Sequence, residues 1–211
     1  MNTMEQRTKN VLVEVDVQND FITGSLAVSE GADVVAPLNE LARAVREGDG
    51  VVAQTRDWHP ATTPHFDVWP VHCVAGTEGA AFHPELEILP GDTVLDKGTG
   101  QTDGYSGIEG VSDGGATLES IIAPETREQR VRVFIGGLAT DYCVKSTAID
   151  TQAAFADDER VTIYALRDAM RAVNLDPADE AKAIAAMQGA GVTFITVEQA
   201  LAMVDESRLE R

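Results

Sequence analysis

Cys143 lies in the segment Gly136-Gly137-Leu138-Ala139-Thr140-Asp141-Tyr142-Cys143-Val144, where a β-rich apolar run, Val131 to Ile135, meets a Gly-Gly break and then a helix-compatible stretch. A thiol at a helix start faces unpaired N–H groups and the positive end of the helix dipole, and both favour thiolate over thiol. Such a cysteine is a candidate nucleophile if other residues supply a base and a charge partner. Asp16 and Lys97 are of the right types, since a carboxylate can take the thiol proton and an ammonium can hold that carboxylate charged. Singly, each has a plainer reading. A strand-end Asp is more often a cap, a Lys in Asp96-Lys97-Gly98 a solvated turn residue, and a Cys in apolar surroundings part of the core.

A second constellation runs through Arg56-Asp57-Trp58-His59-Pro60, Pro64-His65-Phe66 and Trp69-Pro70-Val71-His72-Cys73. His59, His65 and His72, three of the chain's four histidines, fall within fourteen residues, with Asp57 two positions before the first. Imidazole and carboxylate suit a divalent transition metal, but Asp-x-His also occurs in ordinary loops, and spacing alone leaves both readings open. The fourth histidine, in Phe82-His83-Pro84, reads as structural. Trp58 and Trp69 could stack on a flat ring or simply pack.

These residues need a scaffold that brings them together. Strands are expected at Val11–Val17, Gly50–Thr55, Thr93–Lys97, Val131–Ile135, Val161–Ala165 and Val192–Thr196. Helices are expected at Asp33–Glu47, Ala116–Ile122, Asp141–Ala156, Pro177–Gly189 and Val197–Met203. Val- and Ile-rich strands alternating with helices indicate an α/β fold with a mostly parallel sheet covered on both faces. In such folds ligands sit outside the carboxyl ends of the strands. Asp16, Asp57, His59, Lys97 and Cys143 all follow or close strands, so one sheet edge would collect an acid, a lysine, a thiol and the histidines. The two long non-periodic stretches, Arg56 to Asp92 and Gly98 to Gly115, are the kind of loop that carries function.

Composition excludes several classes. The chain has 211 residues, 44% of them hydrophobic, which fits one domain with a substantial core. Its formal net charge of −19 argues against binding nucleic acid or an anionic membrane through charge. Two cysteines make no disulfide framework, which points to a reducing, cytoplasmic setting. No apolar run reaches transmembrane length. Residues 1–10 are polar, without a signal-peptide apolar region, and are expected to form a flexible tail before a single domain over 11–211.

Taken together, the motifs resemble the nicotinamidase/pyrazinamidase branch of the isochorismatase-like cysteine hydrolases. The resemblance is carried by Asp16-Val17-Gln18-Asn19-Asp20-Phe21, Gly24-Ser25-Leu26-Ala27-Val28, Asp57-Trp58-His59-Pro60 and Trp69-Pro70-Val71-His72-Cys73-Val74. It continues through Gly79, Phe82-His83-Pro84, Lys97-Gly98, Tyr105-Ser106-Gly107 and Gly137 to Val144, in family order over roughly residues 11 to 200. The resemblance implies a three-layer α/β/α, Rossmann-like fold with a six-stranded parallel sheet. It implies hydrolysis of nicotinamide to nicotinate and ammonia through a cysteine thioester in NAD salvage, with pyrazinamide as a further substrate. Cys143 would be the nucleophile, Asp16 the general base and then acid, and Lys97 the third triad member. Asp57, His59, His65 and His72 would bind one divalent ion, Zn, Fe or Mn. The N–H groups of Ala139 and Cys143 would form an oxyanion hole, oriented by a cis Leu138–Ala139 peptide. Phe21, Trp69, Tyr105 and Leu138 would line the ring pocket. The implied partner is a small-molecule amide, with no nucleic acid and no membrane, in a chain that could form a homo-oligomer.

Two departures flank that pocket. The loop after Phe21, Ile22-Thr23-Gly24-Ser25, is one residue shorter than the family's double-glycine form, and the stretch from His65 to Trp69 is short. The competing reading is another cysteine amidase of the superfamily, acting on a ureido, carbamoyl or maleamate-type amide. Those relatives generally keep the acid–lysine–cysteine set without the histidine cluster, so the cluster favours a pyridine ring.

Overall fold

The computed structural model describes residues 8–100 and 103–209. Its elements, in chain order, are β1 (Thr8–Val15), α1 (Asn19–Ile22), α2 (Val35–Glu47), β2 (Val51–Asp57), β3 (Thr93–Lys97), α3 (Leu118–Ile122), β4 (Arg130–Leu138), α4 (Lys145–Ala154), β5 (Val161–Arg171), α5 (Asp179–Gly189), β6 (Thr193–Ile195) and α6 (Val197–Leu209). Among the described residues, six strands form one wholly parallel sheet in the order β3-β2-β1-β4-β5-β6. Of the tail expected over 1–10, residues 1–7 lie outside the described residues and residues 8–10 already belong to β1.

The strands are apolar on both faces because helices cover both. One layer packs Leu38, Leu41 and Val45 of α2 and Ala200 and Val204 of α6 against Leu12 and Phe134. The opposite layer packs Leu118 and Ile122 of α3, Ala148 of α4 and Met187 of α5 against Val11, Val13, Val133, Ile135 and Ile163. In α2 the buried positions Val35, Leu38, Leu41, Ala42 and Val45 recur every three or four residues, the spacing of one helix face. The helix stops at Gly48, whose N–H returns to Ala44 O.

Some expected bounds differ. β5 runs to Arg171, beyond the expected Ala165, with a register shift against β4 between Ile135 and Gly137. α6 runs to Leu209 rather than ending at Met203. The expected helix from Asp141 opens as a wide, π-type turn over Thr140–Val144, and the α-helix proper begins at Lys145.

The topology fixes where chemistry can occur. From central β1 the chain winds outward to β2 and β3, then returns to β4 on the other side, so the winding direction reverses between β1 and β4. A crevice opens at that point beyond the strand ends. Gly137 lets β4 close tightly there: its φ is 121°, and a Cβ would lie 2.1 Å from Val15 O. No helix among the described residues is long and apolar enough to cross a membrane.

Candidate active site

Asp16 leaves the end of β1 with φ 50°, a left-handed conformation that Asp tolerates better than most residues. Its N–H binds Thr55 O at 3.1 Å, and its Oδ1 accepts Thr55 Oγ1 at 2.7 Å. Lys97 ends β3 with its side chain fully buried, 2.8 Å from Asp16 Oδ2 and 2.5 Å from Asp57 Oδ1 at the end of β2. The same ammonium donates to Gly104 O at 3.0 Å and lies 3.5 Å from Cys143 Sγ. One lysine therefore touches two carboxylates and the thiol, all in the water-poor crevice at the sheet edge. Buried charge persists only when paired and hydrogen-bonded, and these contacts meet that condition.

The proton distribution differs from the expectation of a preformed thiolate. Burial pushes the Cys143 thiol well above its ordinary value; Lys97 pulls it down, while Asp16 and Asp57 add to the rise. Burial likewise raises the Asp16 carboxyl, against the pull of Lys97. For Lys97 burial works against the charge, but Asp16 and Asp57 outweigh it and hold the ammonium well above its usual range. For Asp57 burial opposes ionisation, but Lys97 and His59 keep its carboxyl below the ordinary range. Burial and the two carboxylates thus favour the protonated thiol, against the pull of Lys97.

The peptide Leu138–Ala139 is cis. In the turn that follows, Ala139 O takes the N–H groups of Tyr142 and Val144, at 3.1 Å each, on either side of Cys143. Asp141 anchors the outer side of this turn by accepting the N–H groups of Val173 and Asn174 at 2.9 Å each.

The three histidines converge from one loop. His59 follows β2, its N–H bonded to Cys73 O. His65 sits in a short turn, Pro64–Asp67, capped by Thr63, and the chain then brings His72 back beside it. The ring centroids of His59, His65 and His72 lie 4.6–5.2 Å apart. Each Nδ1 meets an oxygen: Gly98 O at 3.0 Å for His59, Asp103 Oδ1 at 2.7 Å for His65, and Pro70 O at 2.7 Å for His72. Those oxygens only accept, so each Nδ1 carries the proton and each Nε2 is left with its lone pair. Among the described residues the buried His59 Nε2 has no hydrogen-bond partner, and Asp57 Oδ2 stands 3.8 Å from it. One nitrogen from each ring falls within 4.8 Å of the other two. Burial also lowers His72, favouring the neutral imidazole that a metal requires. The three histidines therefore fit a divalent transition metal, and Asp57, bonded to Lys97 through Oδ1, stands at the edge of that set beside His59.

Beside Cys143 the walls are Phe21, Leu26, Asp57, His65, Trp69, His72, Tyr105, Ala139, Tyr142 and Val173. Trp69 Nε1 donates to Tyr105 Oη at 2.9 Å across the mouth, and the Trp69 ring meets Tyr142 edge-on with centroids 5.0 Å apart. The space between these walls is narrow, about 30 Å³, and mainly apolar in its lining. Larger grooves of about 330 and 580 Å³ lie elsewhere on the surface and gather no comparable set.

Of the expected ring-pocket residues, Phe21, Trp69 and Tyr105 stand on the wall. Leu138 does not: its side chain is fully buried in the core, towards Gly31. Leu26, Tyr142 and Val173 were not expected there. Tyr142 adjoins the cysteine and Leu26 closely follows Phe21, so both had a local signal, whereas Val173 arrives only through the length of β5. Trp58 lies under the Arg56 guanidinium, 3.7 Å from its ring centroid, and packs on the core. His83 accepts the Glu85 N–H, a structural role.

A buried thiol, carboxylate and ammonium meet at the switch point of a doubly wound sheet, in a hydrolase fold of the α/β/α class. The chain belongs to the isochorismatase-domain family, whose model matches residues 10–199. It is similar to the nicotinamidase/pyrazinamidase of Mycobacterium tuberculosis, with 40% identity over 66% of this chain and 76% of that protein. It is also similar to the nicotinamidase of Escherichia coli, with 33% identity over 88% of this chain and 94% of that one. A crystal structure of the pyrazinamidase of Pyrococcus horikoshii in complex with zinc superposes with a TM-score of 0.75 at 33% identity, covering 89% of this chain and 99% of that one.

Proposed function

We propose that the chain hydrolyses nicotinamide to nicotinate and ammonia, and pyrazinamide by the same chemistry, with Cys143, Asp16 and Lys97 as its catalytic set. The observation that carries this reading is the contact of Lys97 with both carboxylates and the thiol, beside a histidine cluster fit for a metal. Of the relatives named above, the Mycobacterium tuberculosis protein is named for both amides and the Escherichia coli protein for nicotinamide.

An amide is a poor electrophile and ammonia a poor leaving group. Asp16 takes the Cys143 proton as sulfur attacks the carbonyl carbon, so thiolate appears only when its electrons are used. The charge passes to the carbonyl oxygen, and the N–H groups of Ala139 and Cys143 receive it; one such donor contributes on the order of 3 kcal/mol to the transition state. Asp16 returns the proton to the departing nitrogen. It then takes a proton from the water that cleaves the thioester and passes it to the departing sulfur, restoring the thiol, while the product acid loses its proton to solvent as nicotinate. Lys97 holds Asp16 in place and keeps an ionised carboxylate tolerable in the buried site.

Asp57, His59, His65 and His72 would hold one divalent ion, with zinc the first choice. Bound there, the ion would supply a Lewis-acidic contact for orienting the pyridine nitrogen. Trp69, Tyr105 and Phe21 would sandwich the ring and exclude water. Both Cys73 and Cys143 are free, and thiols stay reduced most readily in the cytosol, which supports a cytoplasmic setting.

The test is ammonia release from a panel of small amides. Nicotinamide and pyrazinamide should be turned over and ureido, carbamoyl and maleamate-type amides should not; a reversed preference would favour the other amidases of the superfamily.

A further inference from the structure

Three consecutive residues of the loop after β3 each touch a different part of the site. Asp103 Oδ1 takes the Nδ1–H of His65 at 2.7 Å, Gly104 O takes the Lys97 ammonium at 3.0 Å, and Tyr105 Oη takes the Trp69 indole N–H at 2.9 Å. Of the three histidines, only His65 rests on a charged side chain. His72 leans on the carbonyl of Pro70, two residues away in its own loop, and His59 on that of Gly98, directly after β3. The Asp103 side chain is 56% exposed while the His65 side chain is 3% exposed, so the bond runs from the surface to a buried ring.

We propose that Asp103 is a positioning residue of the metal centre, and that through it metal binding fixes the Asp103-Gly104-Tyr105 segment against the lysine and the substrate pocket. The proposal rests on the metal reading given above. A carboxylate behind a ligating imidazole fixes the tautomer and ring angle and makes the free nitrogen a better donor. The coupling runs both ways by linkage: if Asp103 strengthens the hold on the metal, the metal strengthens the hold on Asp103. Gly104 and Tyr105 follow with no intervening residue, so they share that order. The histidine loop and the Tyr105 loop are then clasped by two parallel side-chain bonds, His65 to Asp103 and Trp69 to Tyr105.

Two measurements on the full-length protein test this. The first is zinc affinity of metal-stripped protein, read by competition with a chromophoric chelator. Asp103→Ala should bind zinc roughly 10–100-fold more weakly than wild type. Asp103→Asn, which keeps an acceptor but not the charge, should fall between. The second is the rate of chymotryptic cleavage after Tyr105, read by mass, with and without zinc at a concentration that saturates both proteins. Zinc should slow that cut in wild type and leave it unchanged in Asp103→Ala. A merely structural Asp103 would shift the melting temperature and leave zinc affinity alone. Wild-type zinc affinity in Asp103→Ala overturns the positioning role, and undiminished zinc protection at Tyr105 overturns the coupling. Failure of wild type to bind zinc overturns the metal reading and this proposal with it.

Discussion

Lys97 Nζ lies 2.5 Å from Asp57 Oδ1, while the other oxygen of that carboxylate stands 3.8 Å from His59 Nε2. Asp57 thus stands between Lys97 and the histidine cluster, so a change at Asp57 reaches both.

Asp57→Ala should therefore damage both functions. It removes one of two counter-charges from a fully buried ammonium, a change that typically destabilises by about 3–5 kcal/mol. It also removes an oxygen donor beside His59. Thermal unfolding and metal content measured on the same sample should both fall; loss of metal with unchanged stability would mean that Asp16 alone suffices for Lys97.

Gly98→Ala should weaken the metal site without touching a ligand. Gly98 has φ 62°, and a Cβ there would lie 2.5 Å from His59 Cε1 and 2.8 Å from its Nδ1. The ring must turn away and lose its bond to Gly98 O. Zinc affinity should drop at least tenfold, on the scale set by losing a hydrogen bond behind a ligating histidine. Unchanged affinity would show that His59 has slack.

Purified protein should carry about one divalent ion per chain, measured by elemental analysis. Exhaustive chelation should remove nicotinamide turnover and zinc should restore it. Full turnover in metal-free protein would contradict the role given to the histidines.

Glu14 sets a pH dependence of stability far from the site. It is buried on β1 with its carboxyl pushed up to about 7, because burial outweighs the hydrogen bond from Gln54 and the attraction of Arg46. The unfolded value is near 4.5, so the folded state binds the proton more tightly. Glu14 is therefore harmless at low pH, and stability is lost as pH rises from about 4.5 to about 7, by an amount on the order of 3 kcal/mol. Glu14→Gln should raise the melting temperature at pH 8 by roughly 6–12 °C and at pH 5 by much less. Equal shifts at both pH values would remove ionisation as the cause.

Much of this was legible in the sequence, for a definite reason. Asp16, Asp57, Lys97 and Cys143 each end or follow an apolar run, and in a parallel sheet all such ends share one edge. The histidines were legible by spacing, although the spacing could not say that all three Nε2 atoms would be left free. Other features depend on long-range geometry. Asp103 reads as an ordinary loop residue, and only the fold brings it to His65. Nothing local in Thr140 to Val144 marks a turn widened by one residue. The field at Cys143 combines burial and two carboxylates, which raise the thiol, with Lys97, which lowers it, and these come from other strands that no rule about helix starts includes. Leu138 sits next to the right residues and points the other way.

The most direct test is ammonia release from nicotinamide by Cys143→Ala, beside wild type at equal zinc loading. The variant should fold, keep its metal and its affinity for nicotinate, and show no turnover above the uncatalysed rate. A folded, metal-loaded Cys143→Ala protein that still released ammonia at the wild-type rate would contradict the assignment of Cys143 as the nucleophile.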